Sequence, residues 1–330
     1  MKSWKVLFLL FLIVASVLII KNEPPYHTDR GFIFGTYYNI CYKSKNNLQQ
    51  KIDSTLKSVD NSLSPFNKHS VITAINENRD TLVNAQFTDV FNLAQIIAET
   101  TDGAFDITVA PLVNAWGFGF KQGITIDSIT VDSLLQYVGY KSIRLTDNKV
   151  TKQNPQTMLD CSAIAKGYGC DCVARMLEYY GVKDYMVEIG GEVVAKGKND
   201  KSKQWSIGIS RPTDDKSGAI NELQEILHIS GKSVATSGNY RNYRYEDGRK
   251  LSHTIDPRTG YPVTHTLLSA TVIANDCATA DAYATAFMVM GIDKAVELCK
   301  KKEIDAYFIY STPEGTINTR ETDGMKKYHQ

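Results

Sequence analysis

The chain has 330 residues, of which 43% are hydrophobic, and its 37 Lys and Arg nearly balance its 36 Asp and Glu. At roughly 150 residues per domain, this length fits two ordinary domains or one large one, and the composition excludes a disordered, collagen-like or coiled-coil protein. A net charge of +1 without a long run of Lys and Arg argues against nucleic acid as a partner.

The first twenty residues form an apolar segment with a basic start. Lys2 and Lys5 precede a run from Val6 to Ile20, which as a helix spans roughly 22 Å, less than a hydrocarbon core of ~30 Å. Residues 1–21 are therefore expected to be either a cleaved signal peptide or a short uncleaved anchor. Because basic flanks stay in the cytoplasm, we expect the rest of the chain to be exported, at the outer, periplasmic face of the cytoplasmic membrane.

The pattern after this segment predicts one domain. Residues 22–30 are polar and contain two prolines, which predicts a linker, and no strong boundary follows, so the domain is expected over 31–330. The predicted elements are a strand over 32–41, helices over 46–61, 87–101, 162–180 and 277–300, a loop over 111–123, short strands over 185–273 and a last strand over 306–310. Strands and helices are segregated, which predicts an α+β fold of mixed or antiparallel sheets with packed helices.

The cysteines do not form a recognisable framework. They are too sparse for a small disulfide-rich domain, and Cys170 and Cys172 are too close for a C-x-x-C pair. Buried packing is the simplest interpretation, and a disulfide in an oxidising compartment is the open alternative.

A helix that begins near Cys277 offers the first candidate site. Asp281 and Thr285 lie one turn apart on one face of this helix, and their oxygens suit a hard cation such as Mg²⁺ together with phosphates and water. The alternative is a carboxylate favoured by the helix dipole and a threonine bonded to its own helix.

A second cluster runs from Asp160 to Tyr168 and contains Lys166. Its small residues allow close backbone approach, and a helix start presents free N–H groups to an anion, with the lysine one turn further in. A capped helix with a surface lysine is the alternative.

Two further clusters complete the pattern. Phe105 and Asp106 follow a glycine turn, where an exposed ring and an acid suit a purine, although a core aromatic is commoner. His253 ends a predicted strand before a Pro/Gly turn, a favourable position for proton transfer, although such a histidine is often only structural.

Together these clusters resemble the FAD:protein FMN transferases of the ApbE family. The matching segments are Gly35–Tyr38, Ser64–Phe66, Gly103–Thr108 with Pro111 and Leu112, Asp160–Tyr168, Gly190–Glu192, Thr236–Tyr240, His253–Gly260 and Asp281–Thr285. The resemblance implies a single ApbE-like, T-fold-like domain that binds FAD and Mg²⁺. It also implies transfer of the FMN half of FAD to a threonine hydroxyl of an acceptor protein, such as a membrane electron-transfer subunit, with release of AMP.

The resemblance also implies roles for individual residues. Mg²⁺ would be held by Asp281 and Thr285, with backbone oxygens from Ala163 and Ala284, and His253 would help to deprotonate the acceptor hydroxyl. Contacts with the flavin nucleotide are implied at Phe34, Phe66, Ala104, Phe105, Asp106, Asp160, Lys166 and Ile255.

Two other functions are compatible with the same residues. Water in place of threonine would make the protein an FAD pyrophosphatase that yields FMN and AMP, and a protein without catalysis would only bind flavin. The presence of Asp281, Thr285 and His253 favours an enzyme.

The two interpretations of the apolar run predict different mature N-termini. If the run is an uncleaved anchor, membranes retain a chain that begins near Met1. N-terminal sequencing of the membrane-bound and released fractions tests this expectation, and a mature chain that begins after residue 20 would establish a cleaved signal instead.

Overall fold

The computed structural model describes residues 4, 8, 23–121, 126–212, 222–239, 243–246 and 249–329. Apart from Phe8, the apolar run 6–20 lies outside the described residues, so its role as a signal or anchor stays a prediction. Within the part of the chain that the structure describes, no helix combines the length and apolar character needed to cross a membrane.

The secondary structure has the following bounds. The strands are β1 (Tyr26–Ile33), β2 (Thr36–Lys43), β3 (Ile143–Thr146), β4 (Lys149–Lys152), β5 (Tyr185–Ile189), β6 (Glu192–Lys196), β7 (Trp205–Ser210), β8 (Leu223–Ile229), β9 (Lys232–Gly238), β10 (Tyr243–Glu246), β11 (Arg249–Ser252), β12 (Leu267–Ala274), β13 (Asp305–Ser311) and β14 (Ile317–Glu321). The helices are α1 (Gln49–Leu63), α2 (Val71–Asn76), α3 (Ala85–Thr100), α4 (Ala110–Ala115), α5 (Ser128–Leu135), α6 (Ser162–Tyr179), α7 (Cys277–Met290) and α8 (Ile292–Lys302).

One antiparallel sheet organises the fold. Its strand order is β1-β2-β5-β6-β9-β12-β13-β14. On one face, α1 and α6 pack on β2 and β5, while α7 and α8 pack on β9, β12 and β13. The ribbon formed by β7 and β8 and the C-terminal residues cover part of the other face. This arrangement confirms the predicted α+β fold, because each apolar sheet face is buried against a separate layer.

The predicted linker and first strand are wrong in detail. A strand already begins at Tyr26 and pairs with Lys43 at the far end of β2, so residues 26–30 belong to the sheet. The predicted single strand over 32–41 is a hairpin, because Phe34 and Gly35 both have positive φ, at 52° and 75°. Two such residues form the two-residue turn that matches the twist of paired strands.

Two other expectations have clear outcomes. Part of the predicted loop over 111–123 is the helix α4, in which Pro111 occupies the first turn, where its missing N–H is tolerated. All six cysteines are free thiols, and all but Cys41 are buried, which agrees with the packing interpretation.

The contact between α6 and α7 is unusually close. A Cβ on Gly167 would lie 2.3 Å from the carbonyl oxygen of Cys277, so only glycine allows the two helices to approach this far. The same helix caps its neighbour: the Asp171 carboxylate accepts the N–H groups of Cys277 at 2.8 Å and Ala278 at 2.9 Å. These bonds satisfy two amides at the start of α7 that have no helical partner.

The buried Asp171 makes stability depend on pH. Burial raises the pKa of Asp171 to about 7, and the two amide bonds only partly oppose this rise. In the unfolded chain an aspartate ionises near pH 4, so between about pH 4 and pH 7 the folded chain holds a proton that the unfolded chain has lost. The Asp171 contribution to stability is therefore present below about pH 4 and is lost as the pH rises to about 7.

We expect Asp171→Asn to flatten this dependence. The variant lacks the titrating proton, so its free energy of unfolding should fall less steeply between about pH 5 and 7, by up to roughly 1.4 kcal/mol per pH unit. Urea unfolding across this range measures the slope. Asp293→Asn, at a carboxylate that is 94% exposed, is the control and should keep the wild-type slope; an unchanged slope in Asp171→Asn would contradict the assignment.

Candidate active site

A cleft of about 1020 Å³ lies at one end of the sheet. The turns Phe34-Gly35 and Gly190-Gly191 are at this end. The last residues of β9, the first turn of α6 and the middle of α7 complete its walls. A volume of this order, with mixed polar and apolar walls, suits a ligand of nucleotide size or larger.

The cleft brings together most of the candidate residues. The candidates that line it are His253, Phe34, Phe66, Ala104, Phe105, Asp106, Asp160, Lys166, Ile255, Ala163, Asp281 and Thr285. Ala284 does not line it, since its side chain is buried in the core beneath β9 and β12. Its carbonyl lies inside α7, where a carbonyl oxygen normally accepts the N–H of the residue four positions later.

Three charged groups meet on one wall of the cleft. The Lys166 ammonium lies 2.7 Å from Glu192 Oε1 and 3.7 Å from Asp281 Oδ1. Both carboxylate side chains are nearly inaccessible, at 4% and 2%, whereas that of Lys166 is 29% exposed. Burial by itself lowers the pKa of Lys166, but Asp281 and Glu192 outweigh this and raise it, so the lysine is a cation at neutral pH.

For Glu192, burial and the neighbouring charge also act on the pKa in opposite directions. Burial raises its pKa, and the ammonium of Lys166 opposes this rise. Its second oxygen, Oε2, is buried and has no hydrogen-bond partner in the described structure. An unpaired buried oxygen that belongs to a cleft wall is a group that a ligand can satisfy.

The oxygen pair on α7 faces the start of α6. Thr285 Oγ1 lies 3.0 Å from the hydroxyl of Ser237, and Asp281 Oδ2 accepts the N–H of Gly167 at 3.0 Å. In an uninterrupted helix that N–H would serve the carbonyl of Ala163 alone. Its bond to Asp281 gives this N–H an acceptor besides the Ala163 carbonyl, and Ala163 itself lines the cleft.

Two acidic candidates already hold backbone groups. Asp106 accepts bonds from the amides of Thr108 and Tyr140, both at 2.7 Å, and Asp160 accepts the amide of Ser162 at 2.8 Å. Burial raises the pKa of both carboxyl groups, and these hydrogen bonds oppose the rise. The two acids shape the loops along the cleft, whatever further contact they make with a ligand.

The aromatic candidates differ in exposure. Phe66 is 67% exposed and meets Phe120 edge to face, so its ring is available for stacking. Phe34 is half-buried at the hairpin turn. Of the two interpretations of Phe105, the structure confirms the core aromatic and not the exposed ring, because this residue is only 2% exposed and belongs to the core between the helices.

His253 lies at the cleft just after β11. Its ring is 6.4 Å from that of Phe118, edge to face. The next residue anchors this segment to the end of β9, because the Thr254 hydroxyl donates to Asn239 Oδ1 at 2.6 Å. Ile255 is buried against Leu112 beyond it.

Sequence reasoning missed two residues of the site. Glu192 entered only as part of a matching segment, although it begins a strand whose next three residues are all buried. A charge at such a position needs a partner, and this signal could have identified it. Ser237 carried no comparable signal, since only the packing of β9 on α7 brings it to Thr285.

Comparisons with known proteins agree with the resemblance. The model of the ApbE family matches residues 34–308. The FAD:protein FMN transferase of Haemophilus influenzae is 37% identical over 94% of both chains. The enzyme of the same name from Escherichia coli K12 is 35% identical over 86% of this chain and 84% of its own.

Solved structures show the same fold. The flavin transferase ApbE from Vibrio cholerae superimposes with a TM-score of 0.83 at 33% identity, covering 92% of this chain and 99% of the other. The apo form of Pseudomonas stutzeri flavinyl transferase ApbE gives 0.82 at 28% identity, covering 93% and 98%.

Proposed function

This chain belongs to the ApbE family, and we propose that it is an FAD:protein FMN transferase. In the proposed reaction the FMN half of FAD moves to a threonine hydroxyl of an acceptor protein, with Mg²⁺, and AMP is released. The observation that carries the proposal is the meeting of Lys166, Asp281 and Thr285 with the exposed ring of Phe66 in one cleft. The proposed acceptor is a membrane electron-transfer subunit.

The donor set of the cleft fits Mg²⁺. Among the described residues no group of three or more His, Cys, Asp or Glu side chains forms a complete metal cage. Mg²⁺ commonly uses only one or two protein carboxylates and takes its other ligands from water and substrate phosphates. Asp281, Thr285 and the carbonyl of Ala163 would hold it, and bound Mg²⁺ would neutralise charge on the pyrophosphate.

The chain's own residues support each part of the transfer. The cationic Lys166 faces the cleft and can contact a phosphate oxygen. Phe34 and Phe66 offer ring surfaces for the flavin or adenine. His253, also at the cleft, would accept the proton of the attacking hydroxyl.

The proposed step forms one P–O bond and breaks another. The threonine oxygen forms a bond to the phosphorus that carries riboflavin, and the P–O bond to AMP breaks. The threonine proton passes to His253, and AMP leaves with the bridging oxygen. An exported location is part of the proposal, since a covalent phosphoester prevents FMN from diffusing away outside the cytoplasm.

Asp281→Asn tests the role of the carboxylate. The amide keeps an oxygen for the Gly167 N–H but loses the charge that a cation needs, so we expect transfer to fall at least about tenfold and to need more Mg²⁺. In-gel flavin fluorescence of an acceptor domain, incubated with FAD and Mg²⁺, measures the rate. Wild-type transfer by the variant, or by the wild type in excess chelator, would contradict the Mg²⁺ assignment.

His253→Ala tests the proton acceptor. Loss of a general base costs on the order of 10²–10⁴-fold in rate, whereas the affinity for FAD should change little, because the imidazole serves the attacking group. The same fluorescence assay gives the rate, and titration with FAD gives the affinity.

The matched control is His228→Ala, on β8 in the ribbon across the sheet from the helices, which should label at the wild-type rate. An unchanged rate in His253→Ala would make that histidine structural. If the wild type forms free FMN and AMP but never a fluorescent acceptor, the pyrophosphatase replaces the transferase.

A further inference from the structure

Lys166 lies between two buried carboxylates but is closer to one of them. Its ammonium is within hydrogen-bond distance of Glu192 Oε1, at 2.7 Å, and stands further from Asp281 Oδ1, at 3.7 Å. The other oxygen of Asp281 is committed to the Gly167 amide. Asp281 Oδ1 is therefore the oxygen that both the lysine and a bound cation would contact.

The position of Glu192 is set by the backbone. Glu192 pairs with Ile189 across the β5–β6 hairpin, and its carbonyl oxygen accepts the Cys170 thiol at 3.2 Å. The hairpin turn lies beside the lysine: a Cβ on Gly190 would clash with Thr36 Cγ2 at 2.8 Å and would be in ordinary contact with Lys166 Cδ at 3.4 Å. The backbone of Glu192 is thus held in place, and its buried carboxylate offers an anchor to the longer side chain of Lys166.

We propose that Lys166 and a divalent cation compete for Asp281, and that Glu192 is the positioning residue that keeps Lys166 away from Asp281. The inference rests on the proposed function only for the identity of the cation. It extends that function by giving a role to Glu192.

Charge explains why such an anchor is useful. One ammonium beside two carboxylates leaves a net negative wall, which attracts a divalent cation. A lysine that paired fully with Asp281 would neutralise its carboxylate and repel the cation. Held by Glu192, the same ammonium stays in the cleft, where it can contact an anionic pyrophosphate.

A double-mutant cycle on Mg²⁺ binding tests the proposal without FAD or acceptor. Calorimetric titration with Mg²⁺ gives the affinity of the wild type, Glu192→Gln, Lys166→Met and the double variant. We expect Glu192→Gln to weaken binding about tenfold, because Lys166 then pairs with Asp281, and Lys166→Met to tighten it by a similar factor. In the Lys166→Met background, Glu192→Gln should have a much smaller effect, because no lysine is left to position.

The cycle distinguishes positioning of Lys166 by Glu192 from a direct effect of the Glu192 charge on the cation. If Glu192→Gln weakens Mg²⁺ binding by the same factor in both backgrounds, Glu192 acts only as a distant charge and the proposal is wrong. Weaker binding in Lys166→Met, or no Mg²⁺ binding by the wild type, would also overturn it. Circular dichroism checks that each variant is folded, and Lys166→Gln takes the place of Lys166→Met if the latter does not fold.

The proposed function fails independently of this cycle. It fails if the wild type labels no acceptor, whatever the four Mg²⁺ affinities are. The positioning role fails if the effects are additive, even when the wild type transfers FMN.

Discussion

The close contact between α6 and α7 is the constraint on which the rest of the site depends. Gly167 lets the two backbones meet, Asp171 caps the start of α7, and Asp281 returns a bond to the Gly167 amide. Each helix thus supplies a carboxylate that accepts backbone N–H groups of the other, and these contacts set the position of α7 along α6. Asp281 therefore faces the first turn of α6, where Ala163 and Lys166 lie, and a small shift of either helix would separate the groups that the proposed chemistry brings together.

Five acids in and beside the cleft fall into two groups according to what satisfies them. Asp106, Asp160 and Asp171 accept backbone N–H groups and hold loops and a helix end in place. Asp281 accepts one backbone N–H with Oδ2, but its Oδ1 and the carboxylate of Glu192 face the ammonium of Lys166, and Glu192 keeps one oxygen unpaired. Backbone amides cannot leave an acid when a ligand arrives, whereas a lysine side chain can. Only the second group can therefore exchange its partner for a cation, which frees the ammonium for a phosphate.

Turn geometry explains why the cleft lies at one end of the sheet. The turns at Phe34-Gly35 and Gly190-Gly191 close neighbouring hairpins at this end, and all four residues have positive φ. Because each turn has only two residues, neither hairpin places a long loop over this end, and side chains of α6 and α7 line the cleft there. The same end of β9 contributes Ser237, which meets Thr285. The sheet thus provides a rigid floor, and the helices bring the charged groups to it.

Much of this protein could be predicted from its sequence. Segregated helical and strand patterns predicted the α+β class, and the spacing of Asp281 and Thr285 placed their oxygens on one helix face, because these features depend on local periodicity. The hairpin at Phe34 was missed because a phenylalanine with positive φ is held there by its packing and not by its own preference. The burial of the Ala284 side chain away from the cleft and the partnership of Glu192 with Lys166 were equally invisible. Each depends on which surfaces meet when α6, α7 and the sheet pack, and contacts between residues far apart in sequence leave no periodic trace in a single chain.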